Sequence, residues 1–206
     1  MLGIDPGLTR CGLGCVDIDP RRRARLVEAG VVRTPPSQSP ELRLLAIAEA
    51  LEDWIARLGP TVVSVERVFA QDNLRSVIGV AQVMGVVMVA GARAGLEVAQ
   101  HTPSEAKAAV TGSGTASKSQ VQAMVQRILG LAGPPRSADA ADAVAQAICH
   151  GWRGGGTGVD GATEMVSAGG SVRASARTPA QQRWAAAQAS ARRTGAVDPR
   201  YRRGPA

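Results

Sequence analysis

Met1-Leu2-Gly3-Ile4-Asp5-Pro6-Gly7 opens the chain and decides how the rest is read. Leu2, Gly3 and Ile4 predict a short buried strand with a carboxylate, Asp5, at its end. Pro6-Gly7 then turns the chain, because Pro fixes φ and Gly accepts positive φ. An Asp ahead of Pro-Gly is ordinarily a turn residue and nothing more. A charge at the end of a buried strand, however, needs a cationic partner, since desolvating it alone is costly. The question is whether other acids are placed in the same way.

Working outward, Gly12–Asp19 and Arg25–Thr34 predict two further strands, joined by connections too short for parallel pairing. Asp19-Pro20-Arg21-Arg22-Arg23 reads as the hairpin tip between them, a solvated turn rather than a grip on nucleic acid. Ser39 as N-cap, Pro40 at the first helical position and Glu41 in the first turn start a helix. Leu44, Leu45, Ala48, Leu51, Ile55 and Leu58 give it an apolar face, and Gly59-Pro60 stops it. The continuous run Thr61–Val65 is typical of a buried parallel strand, and it ends in Glu66. This is a second carboxylate at the end of a core strand.

A loop, Arg67–Asp72, follows and holds Phe69, the one Phe of the chain. Its neighbours Ala70, Gln71, Asp72 and Asn73 are not core company, so Phe69 reads as an exposed, working residue. From about Asn73 to Ala94 runs a helix that is apolar nearly all round. Val77, Val80, Ala81, Met84, Val87, Met88 and Gly91 form one face; Ile78, Gly85, Val86 and Val89 cover the other. Such a helix lies centrally or turns one side to a second subunit. Glu97–Thr102 predicts another strand, and Pro103-Ser104-Glu105 opens a short helix carrying Lys107. After a flexible loop, Thr111–Thr115, Ser117–Leu131 forms an amphipathic helix. Lys118 in its first turn opposes the helix dipole, which fits an anion nearby, a plain surface lysine being the ordinary alternative. Ser137 caps a final helix in which Asp139 and Asp142, three apart, share a face. Capping accounts for Asp139. It accounts less well for Asp142, past the first turn and among alanines.

This order of elements predicts an α/β fold: a mixed five-stranded sheet, three antiparallel strands then two parallel, flanked by helices. The first strand is central and the fourth lies beside it, so Asp5 and Glu66 converge. A final helix packed across the sheet brings Asp139 and Asp142 to the same point. Clustered carboxylates repel one another unless a cation neutralises them. Oxygen ligands with no His or Cys nearby favour Mg²⁺ or Mn²⁺ over Zn²⁺. Paired ions of that kind are common machinery for phosphodiester hydrolysis.

The bulk numbers are less informative. The 206 residues carry a formal charge of +7, but 151–206 holds nine arginines and three acids, whereas 1–150 holds 15 basic and 14 acidic residues. The basicity therefore belongs mostly to the tail. The division expected is a domain over 1–150 and a Gly/Ala/Arg-rich, disordered tail over 151–206. Cys11, Cys15 and Cys149 form no CxxC pair and read as buried small hydrophobes, which suits a reducing, cytoplasmic compartment. No signal peptide is expected, and Val77–Ala92 is too short and contains Gln82, so no membrane span is expected either.

Leu2-Gly3-Ile4-Asp5-Pro6-Gly7, Val65-Glu66-Arg67-Val68-Phe69, Lys118-Ser119-Gln120-Val121-Gln122 and Ala138-Asp139-Ala140-Ala141-Asp142-Ala143, in that order and spacing, resemble the RuvC family of Holliday-junction resolvases over residues 1 to about 150. Each motif is weak alone; the four together are specific. The resemblance implies a ribonuclease-H-like fold in which Asp5, Glu66, Asp139 and Asp142 hold two Mg²⁺ ions per subunit, with Mn²⁺ able to substitute. It implies that Lys107 and Lys118 sit near the scissile phosphate, with Lys118 catalytic. It further implies that Phe69 wedges between bases at the junction centre and that Asn73 and Arg75 contact DNA. The family acts as a homodimer on a four-way DNA junction, nicks two strands of like polarity and works with the RuvA–RuvB branch-migration complex. The tail has no counterpart in this resemblance. Rival readings are an actin-like nucleotide-binding protein, for which 1–150 lacks a second phosphate loop, a junction-binding protein that does not cut, and a related nuclease acting on another nucleic acid.

Overall fold

The computed structural model describes residues 1–67, 74–133, 135 and 137–153. Strands β1 (Leu2–Asp5), β2 (Arg10–Ile18), β3 (Ala24–Arg33), β4 (Val62–Glu66) and β5 (Glu97–His101) form one sheet in the order β3-β2-β1-β4-β5. The β3-β2-β1 pairs are antiparallel and the β1-β4-β5 pairs parallel, with β1 central, as expected. Helices are α1 (Pro40–Leu58), α2 (Leu74–Arg93), α3 (Pro103–Thr111), α4 (Lys118–Ile128) and α5 (Ala138–Arg153). None is long and apolar enough to cross a membrane.

Strand alternation sorts side chains between the two faces of the sheet. Leu2 and Ile4 of β1, Cys11, Leu13 and Cys15 of β2, and Val63 and Val65 of β4 join one core with Ile47 and Leu51 of α1 and Val83, Met84 and Val87 of α2. The opposite face carries Gly3 and Asp5, Gly12 and Gly14, and Ser64 and Glu66. Here α5 lies against the sheet, because a Cβ on Gly3, Gly12 or Gly14 would collide with Ala143, Asp139 or Val144 respectively. A second core forms behind α5, from Val144, Ala145, Ala147 and Ile148 against Val110 of α3 and Val121 and Val125 of α4. Thus α5 is buried from Ala140 to His150 apart from Asp142.

Several expectations shift. On α1, Ile47 is fully buried and Leu45 is 52% exposed, so the apolar stripe is rotated from the one expected. Helix α2 is neither central nor buried all round. Val83, Met84, Val87 and Ala90 pack inward, while Ile78, Met88 and Val89 stand exposed with Ala81 and Gly85. Helix α4 stops at Ile128 rather than Leu131, where Gly130 adopts positive φ. The 111–115 loop, expected to be flexible, is tied by its own hydroxyls: Thr111 donates to the Lys107 carbonyl, and Ser113 pairs with Thr115. Helix α5 continues to Arg153, past residue 150. Phe69, Asp72, Asn73 and the segment from residue 154 lie outside the described residues, and Arg75 falls in the first turn of α2. All three cysteines are buried and unpaired.

Candidate active site

Ile4 of β1 pairs with Val65 of β4, so the next residues in step, Asp5 and Glu66, leave adjacent parallel strands on the α5 face. The ladder fixes both backbones, and neither position depends on a loop. Helix α5 supplies Asp139, Asp142 and Gln146 along one stripe. Its position over the strand ends follows from the glycines beneath it. Ser64 reinforces the seat by donating to the Gln146 carbonyl at 3.0 Å. The third wall comes from α3 and α4. Asp5, Glu66, Asp142, Gln146, Lys107 and Lys118 line an open cleft of about 170 Å³, floored by Ala106, Val121 and Ala145. Capping boxes at Thr102–Glu105 and Ser117–Gln120 anchor the starts of the two helices that carry the lysines.

The electrostatics of the cleft are those of crowded acids. Burial, then the charges of Glu66, Asp142 and Asp139, push the Asp5 carboxyl up to about 7. Burial and Asp142 likewise raise Glu66, partly offset by a hydrogen bond from Gln146 Nε2 to Glu66 Oε2 at 3.4 Å. The outer acids have found cations within the protein. Lys118 Nζ lies 3.4 Å from Asp142 Oδ2, and that carboxylate holds the lysine charged above its ordinary range. Arg10, at the start of β2, places Nη2 2.6 Å from Asp139 Oδ2.

Nothing in Leu8-Thr9-Arg10-Cys11 marks Arg10 in the sequence. Arg43 is equally unmarked. It is buried on α1 and donates to the hydroxyls of Thr34 and Thr9, while Thr34 donates to the Leu8 carbonyl, so the network pins the turn after Asp5. A histidine does come close across the sheet, against expectation. His101 is next to Glu66 in register, but its ring bonds His150 at 3.1 Å and does not line the cleft.

The donor set is thus carboxylate and amide oxygen, suited to a hard divalent cation. Two observations fit one. Burial, and after it the neighbouring acids, raise Asp5 and Glu66, and a dication bound between them relieves the repulsion. In addition, Gln146 Oε1 is buried at the cleft wall without a hydrogen-bond partner, free to accept from ion-bound water. Among the described residues, no three acidic, His or Cys groups stand close enough to enclose one ion as they are. Asp139 and Asp142 are drawn toward Arg10 and Lys118 instead.

Residues 1–150 match the family of crossover junction endodeoxyribonuclease RuvC. This chain belongs to the RuvC family. It is similar to crossover junction endodeoxyribonuclease RuvC of Leifsonia xyli subsp. xyli, at 54% identity over 204 residues and 98% of each chain. It is as similar to that of Pseudarthrobacter chlorophenolicus, at 54% over 193 residues, covering 94% of this chain and 97% of that one. Among solved structures, Thermus thermophilus RuvC in complex with Holliday junction substrate superposes with a TM-score of 0.70 at 36% identity, over 74% of this chain and 92% of that one. The ribonuclease-H-like reading of the RuvC sheet therefore stands, and the actin-like alternative falls. The family match ends at residue 150, while the alignment with the Leifsonia RuvC covers 98% of this chain.

Proposed function

We propose that this chain is a Holliday-junction resolvase, a crossover junction endodeoxyribonuclease that hydrolyses phosphodiesters in two strands of like polarity during recombination and repair. The observation that carries the chemistry is the meeting of Asp5 and Glu66, from adjacent strand ends, with Asp142 and Lys118 in one cleft.

In this reading Asp5, Glu66, Asp139 and Asp142 hold two Mg²⁺ ions, or Mn²⁺ in their place. When bound, these activate the attacking water and offset charge on the leaving oxygen. The strand ends hold Asp5 and Glu66 on adjacent strands before DNA arrives, whereas Asp139 and Asp142 must leave Arg10 and Lys118 to join them. Gln146 orients Glu66 through its amide NH. Lys107 and Lys118 form the cationic wall on which a phosphate rests, and Lys118 exchanges Asp142 for a phosphate oxygen as the strand enters. A P–O bond forms to water and the P–O3′ bond breaks, leaving a 5′-phosphate and a 3′-hydroxyl.

Symmetric nicking requires two such clefts. The exposed apolar residues Ile78, Met88 and Val89 on α2, with Leu42 and Leu45 of α1, support a homodimer through this side. Phe69 as a wedge at the junction centre, Asn73 and Arg75 as DNA contacts, RuvA–RuvB as partner, a cytoplasmic setting and a basic tail beyond α5 complete the proposal. Incubation with a mobile four-way junction, a linear duplex and single-stranded DNA tests it. Paired nicks in the junction alone, with Mg²⁺ and not with EDTA, are expected; equal cutting of the linear duplex would overturn junction resolution.

A further inference from the structure

Arg10 and Asp139 are 129 residues apart in sequence, yet their contact is the most tightly made in the site. Arg10 brings Nη2 to 2.6 Å and Nε to 2.7 Å from a single oxygen, Asp139 Oδ2. Ser137 Oγ donates to the same oxygen at 3.2 Å and accepts from Arg10 Nη2 at 3.4 Å. Two hydrogen-bond donors, Arg10 Nε and Ser137 Oγ, and the charge of Nη2 thus converge on one carboxylate oxygen, which fills its lone-pair directions. That oxygen cannot hold a cation while Arg10 is in place, which leaves a cation at most Oδ1, with the guanidinium charge close by. The Arg10 side chain is 49% exposed, however, so solvent can replace the carboxylate as its partner at little cost.

We propose that Arg10 is an internal counter-ion that competes with the divalent cation for Asp139, lowering the cation affinity of the site and quieting its repulsion while no cation is bound. The inference rests on the reading of Asp5, Glu66, Asp139 and Asp142 as cation ligands. Without a dication, Asp139 is neutralised by Arg10 and Asp142 by Lys118, which leaves Asp5 and Glu66 as the strained pair. On cation binding, Asp139 is surrendered and the guanidinium is left at the cleft edge. The contrary role, in which Arg10 orients Asp139 as a ligand, makes the opposite prediction for affinity.

Binding of Mn²⁺ alone to the full chain, followed by counting free Mn²⁺ by electron paramagnetic resonance, separates the two. Arg10→Gln should bind Mn²⁺ about three- to tenfold more tightly than the unaltered chain, the scale for removing a half-exposed charge-assisted pair. Arg10→Lys, which keeps the charge but loses the paired donors, should fall between the two. Affinity unchanged or weakened in either variant overturns the proposal. Asp142→Asn distinguishes the underlying reading. If the unaltered chain shows no Mn²⁺ binding that Asp142→Asn reduces, the cation site itself is wrong and the competition falls with it. If that binding is present and the Arg10 variants do not tighten it, only the competition falls.

Discussion

Gly12 on β2 lies directly beneath the backbone of Asp139 at the start of α5, with no room between them for a Cβ. Gly3 under Ala143 and Gly14 under Val144 repeat the relationship further along the helix. The approach of α5 to the sheet, and hence the reach of Asp139 and Asp142 toward Asp5, depends on these missing side chains.

Gly12→Ala should therefore do more than crowd the core. The obstacle is a carbonyl oxygen on a helix held from both sides, which cannot step aside as a flexible side chain would. A loss of about 1–3 kcal/mol is expected from overpacking, with at least a tenfold fall in junction cleavage as Asp139 moves. Denaturant unfolding and a nicking assay read the two effects; wild-type values in both would show that α5 has slack.

Asp5→Asn should abolish cleavage, a fall of at least about a hundredfold, and leave junction binding intact or tighter. The variant removes a negative charge facing phosphate and keeps the shape. Gel mobility with an unlabelled competitor measures binding, and nicking in Mg²⁺ measures cutting. Retained cutting would count against Asp5 as a cation ligand.

The pH response follows from the same residue. Because folding pushes Asp5 from 3.8 up to about 7, the folded chain keeps a proton that the unfolded chain has lost. The stability this contributes is full below about pH 4 and is lost as pH rises through about 7. Glu66, also raised, acts in the same direction. The cation-free melting temperature should thus carry a component that declines between about pH 4 and pH 7. Asp5→Asn should reduce it and leave the part that Glu66 contributes, since Asn has no proton to lose. Mn²⁺ should stabilise the chain more at about pH 8 than at about pH 6, where the proton competes for Asp5. Calorimetry across that range, with and without Mn²⁺, checks both; equal stabilisation at the two ends would show that Asp5 does not gate binding.

On the far side of the sheet, Ile78→Asp with Val89→Asp should yield a folded monomer. Both residues are about half exposed in the single chain, Ile78 at 52% and Val89 at 51%, so charge there costs the protomer little but opposes burial against a second copy. Sedimentation equilibrium should show half the wild-type mass with unchanged circular dichroism, and the two junction nicks should become uncoupled. A dimer that survives both substitutions would place the subunit contact elsewhere.

Much of this was legible in the chain before any tertiary contact was known. Strand alternation and turn chemistry marked out the elements, and the placing of Asp5 and Glu66 at strand ends singled out both acids. The lone charge of Asp142 among alanines pointed to a packed helix with a polar task. Less legible was the orientation of each helix. On α2 nearly every residue is apolar, so periodicity could not say which side faces the sheet. On α1, Arg43 is buried where a charge would not be expected, because the hydroxyls of Thr34 and Thr9 meet it there.

By itself, then, the sequence determined the strand order, the parity that turns Asp5 and Glu66 to a common face, and the acids available to a cation. Strand order follows from which connections are too short for parallel pairing, and the rest from local geometry, which repeats every two residues in a strand and every 3.6 in a helix. Only the tertiary structure decided that Arg10 holds Asp139, that Lys118 holds Asp142, and that the glycines of β1 and β2 form the seat of α5. Such pairings join residues far apart along the chain, and charge and shape complementarity across that distance leave no periodic trace.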